Sequence, residues 1–125
     1  MIRFRSIMNI EELRQYCIQK KYVTESFPFD TSTLVFKVAE KMFAVCGLDR
    51  QPHGVNVKCN PDKSLVLRET YTAVTAAYHM NKKHWNTIVL EEDMSETELK
   101  KWIDHSYDLV IRSFTKKKQK ELGFL

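Results

Sequence analysis

Between Thr33 and Cys59 the chain alternates apolar and polar residues in three short runs, joined by links that leave room only for a reversal of direction. Thr33 to Val38 sets Leu34, Phe36 and Val38 on one side and Val35 and Lys37 on the other. Ala39-Glu40-Lys41 is a hairpin-length connection into Met42 to Leu48. Gly47 and the loop Asp49-Arg50-Gln51-Pro52-His53-Gly54 then lead to Val55 to Cys59, whose Val55, Val57 and Cys59 point inward while Asn56 and Lys58 point outward. A period of two marks strands, and short links between neighbours imply an antiparallel sheet with one covered face.

The cover is supplied by segments with helical spacing. Ser95-Glu96-Thr97-Glu98 reads as a full capping box. It opens a helix in which Leu99, Trp102, Ile103, Ser106, Val110 and Phe114 share one face and Lys101, Asp104, Asp108 and Arg112 the other, with Asp108 and Arg112 an i,i+4 pair. Asn9-Ile10-Glu11-Glu12 is a second capping box, followed by the stripe Ile10, Leu13 and Cys17, and this helix ends before Pro28, which lacks an amide hydrogen. Asn60-Pro61-Asp62 starts a third helix that carries Leu65, Val66 and Leu67 and ends near Thr70. Tyr71 to Ala77 fits no single assignment, and Trp85 to Leu90 reads as a fourth strand. The expectation is an α+β two-layer sandwich, an antiparallel sheet covered by helices on one face, in the approximate order α-β-β-β-α-β-α. Its core is expected to gather Leu34, Phe36, Val55, Val57, Leu99, Ile103, Val110 and Phe114.

A chain of 125 residues is one domain. No apolar run approaches the roughly 18 residues of a membrane span, and Met1 to Met8 has arginines but no apolar core of a secretory signal, which places the protein in the cytoplasm. Cys17, Cys46 and Cys59 lie in patterned segments with no Cys-x-x-Cys pair and read as reduced, buried thiols. The net charge is +4, but it sits at the ends: Lys116, Lys117, Lys118 and Lys120 against Glu121 make the tail +3, and Arg3 and Arg5 add +2, so Asn9 to Thr115 is −1. The basic tail from residue 116 to 125 is expected to fray after the last helix, and residues 1 to 8 are expected to be an extension.

Little in the chain reads as catalytic. Asp104-His105-Ser106 has the ingredients of a nucleophilic triad, but consecutive helical residues point about 100° apart and cannot relay a proton. His53, His79, His84 and His105 have no metal-ligand spacing with one another or with the cysteines. The three glycines are isolated, so there is no phosphate loop. No enzyme, metal or cofactor is expected. The densest chemistry is Tyr78-His79-Met80-Asn81-Lys82-Lys83-His84-Trp85-Asn86, a polar turn running into a strand, where cations, amides and an indole could hold a phosphate, a carboxylate or a base. The same residues also read as a solvated turn followed by a core or rim tryptophan.

Phe27-Pro28-Phe29-Asp30 with Thr33 to Val38, Val57-Lys58-Cys59-Asn60-Pro61, the run from Tyr78 to Thr87, and Asp104-His105-Ser106-Tyr107-Asp108-Leu109-Val110 together resemble the MmcQ/YjbR family of small bacterial proteins, in order from about Asn9 to about Phe114. The resemblance implies a frataxin-like (CyaY-like) α+β fold and a suggested DNA-binding role through a double wing of hairpins. Two positions depart from the family: Gln19-Lys20-Lys21-Tyr22 stands where a Leu-Pro-Gly-type turn is usual, and Ala77 where a glycine often precedes the Tyr-His-Met run. The candidate nucleic-acid or anion-binding residues are Lys58, His79, Asn81, Lys82, Lys83, His84, Trp85 and Asn86. The first expectation is a DNA-binding protein using this surface. The alternative is a protein that binds a small anionic ligand or a protein partner in a pocket there. In either case a monomer with no membrane association is expected. A frataxin-like iron role lacks its acidic ridge, since the first helix offers only Glu11 and Glu12.

Overall fold

The computed structural model describes residues 8–125. Along the chain run α1 (Ile10–Ile18), β1 (Val23–Ser26), β2 (Thr33–Val38), β3 (Lys41–Gly47), β4 (Gly54–Lys58), α2 (Pro61–Thr70), β5 (Val74–Ala76), β6 (Trp85–Val89), α3 (Glu96–Arg112) and α4 (Lys116–Glu121). The strands form one antiparallel sheet in the order β1-β2-β3-β4-β6-β5. This is the expected α+β architecture, enlarged by two edge strands and a terminal helix that local pattern does not reveal.

Register explains the division of labour between the two faces. Leu34 pairs with Cys46, Phe36 with Ala44, Ala44 with Val57, Val55 with Ile88 and Val57 with Asn86, so these side chains share the face that the helices cover. All of the predicted core residues are buried except Phe114, which packs on the core half-buried. At the tip of the β2–β3 hairpin Ala39 and Glu40 take positive φ of 45° and 73°, the geometry of a two-residue turn that matches strand twist. Past the turn the register shifts between Phe36 and Lys37, and Phe43 turns inward against Tyr107, ring centroids 5.4 Å apart.

The Asp104-His105-Ser106 run is structural, each residue fastening α3 to a different element. Asp104 accepts a 2.7 Å hydrogen bond from the Tyr16 hydroxyl of α1 and pairs with Lys20. His105 Nε2 accepts from the Asn60 amide at the start of α2, and burial holds its pKa below the usual imidazole value. Ser106 accepts from the Lys58 amide at 2.8 Å and donates to the Phe43 carbonyl at 2.6 Å. Phe43 and Lys58 are where the β3–β4 ladder would continue beyond Ala44 and Val57; the hydroxyl of Ser106 is inserted there instead.

The expected caps hold with two changes. Asn9 and Glu12 form the full reciprocal box, and Asn60 accepts from the amides of Asp62 and Lys63. Ser95 accepts from the Glu98 amide, but Glu98 turns its carboxylate to the Trp102 indole N–H at 3.2 Å rather than back to the cap. Arg112 does not pair with Asp108; its Nε donates to the Asp108 carbonyl at 3.4 Å.

Three segments differ from expectation. Met8 is 1 % exposed in the core and so is not part of a peripheral extension; the rest of that stretch, 1–7, lies outside the described residues. The basic segment from residue 116 does not fray: Thr115 caps α4 by accepting from the Lys118 amide, and the buried Gln119 side chain donates to the Phe114 carbonyl at 2.9 Å. On α2, Leu65 and Val66 face solvent and only Leu67 of the three apolar residues enters the core. In the turn after α1, which stands where the family usually has a Leu-Pro-Gly-type turn, Tyr22 takes φ 66°. Its ring lies edge-on to Phe124 at 5.9 Å, a contact that offsets part of the strain of that backbone. Among the described residues, no helix is long and apolar enough to cross a membrane.

Candidate functional site

The same register that fills the core leaves the other face of the sheet without helices. Val45 is paired with Asn56, Asn56 with Thr87 and Lys58 with Trp85, and all of them project away from α3. Val35 and Val45 also point this way and are nevertheless buried. Loops fold over part of the face, and between them lies an open groove of about 800 Å³. Its apolar lining is Phe29 of the β1–β2 loop, Met42 and Val45 of β3, Met80 of the β5–β6 loop and Trp85 of β6. Its polar lining is Thr33, Asp49, Arg50, Asn56, His79 and Asn81.

Each wall is held by bonds that the local sequence provides. Asp30 accepts from the amides of Ser32 and Thr33 and from the Thr33 hydroxyl, which fixes the loop carrying Phe29 and holds the Asp30 carboxyl below its usual range. Asn81 is the organiser of the opposite loop. Its side-chain oxygen accepts from the Lys83 amide and its carbonyl from the amides of His84 and Trp85, an Asx-type turn. The loop is anchored below by the Cys59 amide, which donates to the His84 carbonyl at 2.7 Å, and by Arg68, which donates to the Lys82 carbonyl. The floor is set by Asn56, which accepts from the Thr87 hydroxyl at 2.6 Å and directs its amide nitrogen to Met80 Sδ at 3.5 Å.

What this arrangement offers a ligand is uneven in a useful way. Arg50, His79 and the amide nitrogen of Asn81 have no protein partner among the described residues, and all three line the groove. Asp49, next to Arg50, contributes an acceptor. Trp85 is half-buried, and Phe29 is 67 % exposed at the rim. Donors, one carboxylate and a soft apolar wall of two methionines and an indole suit a molecule with an anionic group, its own N–H or O–H donors, and a flat or apolar body. Among the described residues no cluster of histidine, cysteine, aspartate or glutamate could hold a metal.

The candidate residues separate once placed. His79, Asn81 and Trp85 line the groove together. Lys58 sits directly across the strand pair from Trp85, on the same face but outside the lining. Lys82 and Lys83 are exposed on the turn beyond it, with the Lys82 ammonium 5.1 Å over the Tyr78 ring. His84 is half-buried and holds the loop through its carbonyl. Asn86 is not on this surface: it is 1 % exposed on the helix-covered face, bonded to Ser64 and Arg68. Arg50, Asp49 and Met42 carry no mark in the sequence that singles them out, Phe29 stands out only as part of a family motif, and only the outward position of Asn56 follows from strand alternation.

Comparison with known proteins agrees with the fold. A family model described as YjbR matches residues 18–109. YbdF of Escherichia coli O157:H7 is 32 % identical over 112 residues, spanning 90 % of this chain and 92 % of that protein. YjbR of Escherichia coli K12 is 29 % identical over 115 residues, 92 % of this chain and 98 % of its own. The crystal structure of Deinococcus radiodurans protein DR2400 superposes with a TM-score of 0.89 at 33 % identity, covering 96 % of this chain and 91 % of the other. A Pseudomonas syringae protein of known crystal structure gives a TM-score of 0.69 at 26 % identity, over 82 % of this chain and 98 % of its own. With three quarters of its length under the family model and the fold shared over 96 % of it, this chain belongs to the YjbR family.

Proposed function

We propose that this protein binds a small anionic ligand in the groove on the uncovered face of its sheet. The observation that carries the reading is the placement of the Arg50 and His79 side chains, neither with a partner among the described residues, at a groove of about 800 Å³ walled by Trp85, Met42 and Met80. That volume is in the range of ligand sites, where a few polar groups on a mostly apolar wall fix orientation. Arg50 supplies a planar fork for a carboxylate or phosphate. Trp85 supplies a face for a flat ring, and Asp49 accepts from a donor on the same molecule. The protein acts as a monomer in the cytoplasm on this reading, which three buried, unbonded cysteines support.

DNA recognition by the 78–86 turn has less behind it. Asn86 is buried, and Lys58, Lys82 and Lys83 stand outside the groove, so these cations do not converge with the indole on one cavity.

The test is a set of amide and indole NMR spectra recorded with inorganic phosphate, benzoate, adenosine monophosphate and a short duplex DNA. Saturable shifts at Arg50, Asn56, Asn81 and the Trp85 indole with a small anion, lost in Arg50→Ala while the melting temperature is unchanged, support the proposal. Shifts confined to Lys82, Lys83 and Lys58 on adding DNA overturn it in favour of the nucleic-acid reading, and no perturbation of the groove by any small anion overturns it outright.

A further inference from the structure

The second unassigned surface lies around α4. Lys116, Lys117, Lys118 and Lys120 would be unremarkable on a loose tail, but here they are carried by a helix fastened to the body. Gln119 is buried and bonded to the Phe114 carbonyl, and the Phe124 amide donates back to the Gln119 carbonyl at 2.8 Å. The Phe124 ring is wedged edge-on against Tyr22 at 5.9 Å and Tyr107 at 6.3 Å. Two lysines from elsewhere join the same place. Lys41 of β3 stands 5.6 Å over the Phe114 ring, which Lys118 covers at 4.4 Å, and Lys21 stands 5.6 Å over Phe124. None of these six lysines has an ion-pair partner among the described residues.

We infer that this lysine-covered pole is an attachment surface for the phosphate backbone of nucleic acid. Residues 116–125 carry +3 while 9–115 carry −1, so the molecule presents an unneutralised positive end that a polyanion attracts and that the remainder does not oppose. The six lysines are spread over α4, the start of β3 and the turn after α1, which fits a line of phosphates better than one small anion. Lysine heads are point charges without the forked geometry that reads base edges, so the attachment is independent of sequence. A membrane fits less well, because interfacial binding needs an apolar face to insert. Here Phe114 and Phe124 pack against the body beneath the ammonium groups, and Leu125 is the one strongly exposed apolar side chain of 116–125.

This surface is separate from the groove and does not depend on it. Fluorescence anisotropy of a labelled duplex DNA of random sequence, titrated with the intact protein over a range of salt, tests it. The expected result is weak binding whose log–log salt slope falls by about 2.7 in the triple variant Lys116→Gln, Lys117→Gln, Lys120→Gln, at about 0.9 per phosphate contact. Charge reversal at the same positions to glutamate should abolish binding. Both variants should keep the wild-type melting temperature, and Arg50→Ala should bind DNA as the wild type does. Unchanged affinity in the two lysine variants, an absence of binding at low salt, or tighter binding to phosphatidylglycerol vesicles than to DNA would each overturn the inference.

Discussion

The Asn86 side-chain oxygen accepts from Arg68 Nε at 2.8 Å, on a strand whose preceding residue, Trp85, points into the groove on the other side of the sheet. The Asn86 amide nitrogen donates to Ser64 Oγ at 3.2 Å, and Arg68 reaches on to the Lys82 carbonyl. One buried amide therefore locks α2 to β6 and, through the arginine, steadies the loop that carries His79 and Asn81.

Replacing Asn86 with alanine takes away the acceptor of Arg68 Nε and the donor to the buried Ser64 Oγ at a position only 1 % exposed. The expected loss is about 1–3 kcal/mol, measured by urea unfolding, together with raised mobility of the 77–84 loop in NMR relaxation. A variant as stable as the wild type would show that the network is slack.

Ser106→Ala should be as damaging despite removing a single oxygen. That hydroxyl is the partner of both the Lys58 amide and the Phe43 carbonyl, and the residue is fully buried. Two orphaned backbone groups predict a loss of about 1–3 kcal/mol, with faster amide exchange at Lys58. If exchange there is unaffected, the inserted hydroxyl is not what holds β3 to β4 at this point.

Acid should weaken the fold through two carboxylates. Glu25 is held below the usual carboxylate range chiefly by hydrogen bonds from Arg14, one at 2.8 Å, and Asp93 chiefly by the amide of Ala73, with that of Thr72 adding to it. A group depressed in the folded state stabilises it above its unfolded pKa, and that contribution disappears as pH falls through the folded value. Glu25→Gln with Asp93→Asn should thus be less stable than the wild type near neutrality, with the gap narrowing as pH falls below the ordinary carboxylate range of about 4 and through the lowered folded values. A gap that persists unchanged in acid would assign the loss to something other than charge.

The cysteines should be chemically silent. Burial pushes the Cys17 thiol up to about 12 and raises those of Cys46 and Cys59, so almost no thiolate is present at pH 8. Ellman's reagent should label none of the three in the native protein within minutes and all three in guanidinium. Rapid native labelling of any one would reveal an opening motion that reaches the core.

How far the sequence could be read follows from how local each signal is. Thr33–Val38 and the start of α2 at Asn60-Pro61 have their cause in adjacent residues, and both match the structure. Val23–Ser26 offers a single apolar residue, and Val74–Ala76 is three residues long; each is a strand only because β2 or β6 lies beside it, and Asp93 holds the approach to β5 from twenty residues away. The lysine run after Phe114 reads as a tail because nothing nearby announces that Phe124 will dock on Tyr107. In the site, the density of His79 to Trp85 marks a turn of which His79, Asn81 and Trp85 line the groove and the lysines do not. Alternation from Trp85 would have sent Asn86 inward. Arg50 and Asp49 sit in a polar loop with no period, and which of its side chains meet the groove is decided by a fold assembled elsewhere.

On β4, Val55 and Val57 are buried beneath the helices while Asn56 between them looks into the groove. Neighbouring residues of one strand therefore serve different surroundings, Val55 and Val57 the core of the domain and Asn56 the groove. A sheet so divided lets recognition drift between relatives while its framework stays in place. If the groove is the ligand site proposed above, members at about the level of identity seen here are expected to share the valines and the inserted serine, and to differ in what they bind through substitutions at Met42 and Arg50.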